Sequence, residues 1–248
     1  GGMLAVGTAQ FNDDDGLDAF LIKTDSSGNS QWTRAVHVTT YNERVSRVLA
    51  LDNGNLLIAG TEAVETSLSS FPERNPAVFL MEIDQEANVI WQQTYSIDAS
   101  GNEFKDLAVA ADGGYFLLAD PSSLSSNTSY VIRVDNSGVQ QWSKSYSPQI
   151  FWADFSFTAI TQADSGFAVF GTHGHNDAGN YTAYAFSRRY DNEGILIDEV
   201  QYPTDDVSTL QRVSGAVTAS DGAFYTIGEK RIGGWVAKYD SQGQLQWN

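Results

Sequence analysis

One pattern, Asp-x-x-(Gly)-x-x-x-Trp, recurs along this chain at intervals that sharply limit what it can fold into. It stands as DSSGNSQW from Asp25 to Trp32, DQEANVIW from Asp84 to Trp91, DNSGVQQW from Asp135 to Trp142 and DSQGQLQW from Asp240 to Trp247. A degenerate copy, DNEGILID, runs from Asp191 to Asp198 and loses the tryptophan. Successive starts lie 59, 51, 56 and 49 residues apart. Self-similarity at that period signals supersecondary units that bury their apolar faces against one another.

The residues between the copies repeat too. An Asp/Gly turn leading into an apolar strand precedes each copy, as in DNGNLLIAG, DGGYFLLAD and DSGFAVFG. A further strand runs directly into each copy (AVFLMEID, SYVIRVD, GWVAKYD), and another comes before each Asp/Gly turn (FKDLAVAAD, RVSGAVTASD). Each full unit therefore reads as four short strands, A to D in chain order, with no helical periodicity. A lone four-stranded meander cannot bury both faces, whereas copies arrayed about an axis can, leaving only short edges. The expectation is an all-β propeller of about five four-stranded blades in a single domain. The blades fall at about residues 1–36, 37–97, 98–147, 148–203 and 204–248. The first lacks strand A, its innermost, so the ring either closes with five blades or is an excerpt of a larger propeller.

The repeated Asp-x-x-Gly-x-x-x-Trp element resembles the tryptophan-docking motif of quinoprotein-like propellers. The fuller pattern, as in DGGYFLLAD…YVIRVDNSGVQQWSKSY, is similar to repeats of bacterial secreted proteins and lipoproteins. That resemblance implies a location outside the cytoplasm, in the periplasm, at the outer-membrane surface or secreted. It also gives Asp25, Trp32, Asp84, Trp91, Asp135, Trp142, Asp240 and Trp247 a docking role, each indole lying over the Gly-containing turn of a neighbouring blade. No residues match the cofactor-binding set of the quinone-dependent enzymes in that superfamily, and no cofactor is expected.

Composition narrows the partners. With 31 acidic and 14 basic residues the formal net charge is −17, which repels phosphate backbones and argues against nucleic acid. The absence of cysteine excludes disulfides and thiolate metal sites. No apolar run approaches the ~20 residues of a membrane-spanning helix. The opening GGMLAVG reads as the inside of a strand, so a targeting segment, with a lipid anchor upstream, is expected to precede it.

The strand order sorts the connections. The A–B and C–D turns are short and uniform, whereas the B–C and D–A connections vary in length, which is how a repeat scaffold separates structure from binding. The B–C loops are placed near 8–18, 61–77, 120–129, 172–182 and 229–234, and the D–A loops near 36–43, 95–103, 147–154 and 201–210. Binding candidates on that side are Phe151, Trp152, His173, His175 and Tyr181. Phe155 and Phe157, by contrast, alternate along a strand and read as core. The loop NDDDGLD offers Asp13, Asp15 and Asp18 to a Ca²⁺ ion, but Phe11 stands where the first ligand of an EF-hand-like spacing belongs. It reads as a solvated acidic loop, and no metal is assigned. The His-x-His pair lacks an identifiable third ligand and reads as incidental loop histidines. Glu43, Arg44, Glu103, Lys105, Asp154 and Arg212 fall at comparable offsets at the strand-A starts, as a polar ring at a channel mouth. The functional expectation is a non-catalytic binding or scaffold module for a protein or a glycan. The alternative is a glycoside hydrolase-like enzyme using the ring's carboxylates.

Overall fold

The computed structural model describes residues 2–9, 18–36, 42–65, 74–122, 128–147, 154–177, 180–202, 211–230 and 233–247. Among these residues there is no helix; nineteen strands form five antiparallel sheets, the blades of a β-propeller fold. The first sheet holds β1 (Leu4–Ala9), β2 (Asp18–Thr24) and β3 (Ser30–Val36). The second holds β4 (Glu43–Ala50), β5 (Leu56–Glu65), β6 (Arg74–Ile83) and β7 (Val89–Tyr95). The third holds β8 (Asn102–Val109), β9 (Tyr115–Pro121), β10 (Ser129–Val134) and β11 (Gln140–Tyr146). The fourth comprises β12 (Asp154–Ala163), β13 (Gly166–Asp177), β14 (Asn180–Asp191) and β15 (Leu196–Tyr202). The fifth comprises β16 (Gln211–Thr218), β17 (Phe224–Lys230), β18 (Gly234–Tyr239) and β19 (Leu245–Trp247). In every sheet the strands pair in chain order, so each blade is a simple meander.

Burial explains the composition of each strand. The middle strands are covered on both faces and read as near-continuous apolar runs: Ala77 to Met81 in β6 and Phe116 to Ala119 in β9 are all buried. The last strand of each blade is mostly polar and solvent-facing, yet it ends on a buried residue in three blades, Val36, Tyr95 and Tyr202. A register shift recurs at the same place in all five blades, between Lys23 and Thr24, Glu82 and Ile83, Arg133 and Val134, Arg189 and Tyr190, and Lys238 and Tyr239. It lies where strand C enters the Asp-x-x-Gly turn and increases the local twist.

One turn geometry closes one end of the sheets. In the turns that start at Asp25, Leu51, Asp84, Ala110, Asp191, Ala219 and Asp240, the first residue's N–H donates to the carbonyl four residues on. Its own carbonyl accepts from the N–H three residues on. That fourth residue is in the left-handed region: Gly28 has φ +84° and Gly194 φ +72°. The second blade places Ala87 there at φ 68°, the single non-glycine with positive φ among the described residues. An L-residue with a Cβ pays ~1–2 kcal/mol for that conformation.

The chain divides into two compact units. Unit 1 is Gly1–Lys105, Ala119–Leu124 and Ser137–Val139; unit 2 is Asp106–Leu118, Ser125–Asn136 and Gln140–Asn248. The core of unit 1 gathers Ala19, Leu21, Ile58, Phe79 and Met81, with Leu4, Val6 and Trp32 against it. Unit 2 holds two clusters. One is aromatic, built on Phe116, Phe155, Phe157, Phe167 and Phe186. The other centres on Phe170, Phe224, Tyr202 and Tyr239.

Candidate binding end and the turn latches

At the end opposite the uniform turns, the strands run further than the sequence suggests. Strand β5 continues past Gly60 to Glu65, and β13 continues through Asp177. The connections expected at 61–77 and 172–182 are correspondingly shorter, because residues there pair across their hairpins: Glu62 opposite Ala77, and His173 opposite Tyr184. His173 and His175 are thus strand residues rather than loop residues, which corrects the sequence reading. His173 Nδ1 lies 2.8 Å from the Tyr184 hydroxyl, an interaction that engages one of the two ring nitrogens. Tyr181 is likewise on a strand, β14, paired with Asn176.

Phe155 and Phe157 are buried in the aromatic cluster, with Phe155 stacked on Phe186 at 5.4 Å. The Arg188 guanidinium lies 5.1 Å from the Phe155 ring and donates to Glu199 at 2.6 Å. Burial pushes the Glu199 carboxyl up, but the hydrogen bonds from Gln201 and Arg188 outweigh it and hold the group below the usual glutamate range. Phe151, Trp152, Asp13 and Asp15 lie outside the described residues. Asp18 is buried at the start of β2, opposite Ala9. No cluster of three or more His, Asp or Glu suited to a metal ion occurs among the described residues.

The strand-A starts show two different environments. Arg44 and Arg212 are exposed, and Lys105 pairs with Asp120 at 3.4 Å. Asp154 opens β12, opposite Gly174. Glu43, in contrast, is fully buried and sits directly opposite Glu62, which is 2% exposed. Directly opposed residues of an antiparallel pair share a face with Cβ atoms about 5 Å apart, so two carboxyl groups are held side by side in a dry place. A cleft of about 150 Å³ opens beside them, lined by Glu43, Arg44, Thr61, Glu62, Pro76 and Glu103. Burial pushes the Glu62 carboxyl above the usual range, against a hydrogen bond from Thr94. Its Oε2 has no hydrogen-bond partner among the described residues. Sequence reading placed Glu62 in a loop and so did not consider it. The signal available was its period-2 alternation with Gly60 and Ile58.

The opposite end is locked by side chains that reach one blade further on. Trp32 Nε1 donates to the Gln85 carbonyl at 3.2 Å, and Trp142 Nε1 to that of Asn192 at 3.1 Å. Both acceptors directly follow a turn aspartate. Trp91 instead donates to Glu82, while its ring lies against Gly138, where an added Cβ would come within 2.6 Å of it. Four residues after three of the indole positions, tyrosines bond the turn glycine's carbonyl: Tyr95 to Gly138 at 2.7 Å, Tyr146 to Gly194 at 3.2 Å, Tyr202 to Gly243 at 3.5 Å. In the degenerate copy, Asp198 occupies the tryptophan position and pairs with Arg189, whose Nη1 donates to the Ser241 carbonyl at 3.0 Å. The guanidinium thereby makes the bond that an indole makes elsewhere. Trp247 is half exposed and 6.2 Å from Tyr225. The turn aspartates hold their own loops: Asp25 accepts from the backbone of Ser27 and Asn29, and Asp84 from that of Glu86 and Asn88. Asp240 does the same with Gln242 and Gln244, and Asp135 accepts from the Gln141 side chain. The Asn29 and Asn88 side chains, together with those N–H groups, hold Asp25 and Asp84 below the usual aspartate range.

No family model and no curated protein matches this sequence. Solved structures do match the fold. The NanB sialidase of Streptococcus pneumoniae aligns with a TM-score of 0.58 at 9% identity, over 93% of this chain and 36% of that one. A luciferin-regenerating enzyme gives 0.50 at 10% identity, over 100% of this chain and 80% of that one. Regucalcin, a calcium-binding protein of Agrobacterium tumefaciens, gives 0.46 at 13%, over 100% and 74%. At such identities the first two likenesses speak for the propeller fold alone.

Proposed function

We propose that this protein is a non-catalytic propeller that engages a protein or a glycan through the strand ends carrying the B–C and D–A connections. The observation that carries this reading is the asymmetry between the two ends of the sheets. Seven turns at one end share a single hydrogen-bonding scheme, and three of them, at Asp84, Asp191 and Asp240, are latched by Trp, Tyr or Arg side chains. At the other end the gaps between strands run from two residues, 178–179, to eight, 66–73. Unequal connections on a regular scaffold are where binding specificity resides. His173, His175 and Tyr181 belong to that end, and so do Glu43, Arg44, Glu103, Asp154 and Arg212; Phe151 and Trp152 join the proposed set from the sequence pattern alone.

The finer family reading, a tryptophan-docking repeat of the quinoprotein-like kind, is part of the proposal. Supporting it are the two indole bonds to carbonyls that directly follow a turn aspartate. The location proposed is outside the cytoplasm of a bacterium, on the strength of the repeat's resemblance and the acidic, cysteine-free composition.

Two charge-reversal variants and a glycan and envelope-protein binding panel test the reading. Arg212→Glu, at the variable end, is expected to weaken binding. Lys144→Glu, at the turn end, is expected to leave it unchanged. Equal effects from both, or hydrolysis of a glycan by the wild type, would overturn it.

A further inference from the structure

We propose that the cleft beside Glu62 binds a primary alkylammonium group, presented as a lysine side chain of a protein partner. The inference rests on the reading of the variable end as the binding end. Glu62 is 98% buried, its Oε2 lacks a hydrogen-bond partner among the described residues, and the residue lines an open cleft. A buried carboxylate oxygen with nothing to accept from costs free energy that a donor entering the cleft recovers. Glu43 stands directly across the ladder, and Glu103 joins them in the lining, so three carboxylates face a single guanidinium, that of Arg44. The donor that fits is therefore cationic.

Size and donor geometry select among cations. At about 150 Å³ the cleft admits a small cation on a short aliphatic stem, as a lysine side chain presents it. The Pro76 ring in the lining offers an apolar wall for the methylene stem. One orphan oxygen suits the compact ammonium better than the planar guanidinium fork, which wants two acceptors in register. A divalent metal ion would need three or more hard ligands converging, and no such cluster occurs among the described residues. The net charge of −17 raises the local concentration of any basic partner and steers it inward.

The test is a titration of the ¹⁵N-labelled protein with n-butylammonium chloride, following the Thr61 and Glu62 amides. 1-Butanol and CaCl₂ run in parallel. Saturable shifts with butylammonium, none with butanol, and binding weakened about tenfold or more in Glu62→Gln are expected for a lost charge-assisted bond. Glu103→Gln, altered at a half-buried residue, serves as a second variant and is expected to weaken binding severalfold with the fold intact. Equal binding by wild type and both variants, no shifts at these amides, or shifts with CaCl₂ alone would overturn the proposal. A partner captured at the variable end that binds Glu62→Gln as tightly as wild type would sink the ammonium cleft while leaving the reading of that end in place.

Discussion

Replacing Trp142 with alanine puts the latch at the turn end to a quantitative test. The indole is partly buried, packed on the aromatic cluster with ring centroids 6.1 Å from Phe116 and 6.3 Å from Phe167. It also contacts the fourth-blade turn, where a Cβ added at Gly194 would come within 3.0 Å of the ring. Aromatic side chains bury ~150–250 Å² when enclosed. Half of that, ~100 Å², at ~25 cal/mol per Å² amounts to ~2.5 kcal/mol. The Nε1 bond to Asn192 adds ~1 kcal/mol. The expected loss for Trp142→Ala is therefore ~3–4 kcal/mol, within the span seen for large aromatic truncations. Trp142→Phe keeps most of the area and loses the donor, so ~1 kcal/mol is expected, since the Asn192 carbonyl can turn to water. Urea denaturation followed by far-ultraviolet circular dichroism, compared at unchanged slope, reads both values. A loss below ~1 kcal/mol for Trp142→Ala would refute the area and hydrogen-bond reasoning together.

Three other outcomes follow from individual residues. Ala87→Gly should stabilise the protein by ~1 kcal/mol in the same assay, because it relieves an L-residue at φ 68°; a loss would mean that the methyl group packs favourably. Arg189→Met should cost ~1–3 kcal/mol by removing the bond to Ser241 and leaving Asp198 without its partner, and an unchanged denaturation midpoint would contradict the substitution of guanidinium for indole. Burial raises the folded-state pKa of Glu62, so the fold binds this proton more tightly than the unfolded chain does. Its destabilising contribution is absent below the unfolded glutamate value and grows as pH rises through the folded one. Glu62→Gln should therefore melt at the same temperature as wild type at pH 3 and at a higher one at pH 8; equal midpoints at both would show that the group is not desolvated.

The blade architecture was legible because each unit repeats the same local chemistry. A turn that needs a left-handed residue, followed by an apolar strand, leaves the same imprint five times, and the meander order follows from it. Strand ends at the variable side were not legible. In GTEAVE and GTHGHND the residues beyond the glycine are polar, which reads as loop, yet hairpin pairing carries both strands onward to Glu65 and Asp177. Glu62 was overlooked for that reason, and His173 and His175 were assigned to a loop. The Arg189 bond was hidden by a different cause. The group that makes the bond comes from the neighbouring strand, across the sheet from Asp198, and a pattern read along one dimension does not display cross-strand replacement. The tyrosines four residues after three of the indole positions were visible as WQQTY, WSKSY and DEVQY, but their hydroxyl contacts depend on the blade-to-blade approach.

The measurement that bears most directly on the proposed function is a hydrogen-exchange footprint of the protein with a bound partner from the glycan and envelope-protein panel. Protection confined to the variable strand ends, around residues 42–44, 60–65 and 172–184, is the result predicted. Protection of the Asp-x-x-Gly turns at 25–29, 84–88 and 191–195, with the variable ends unchanged, would contradict it.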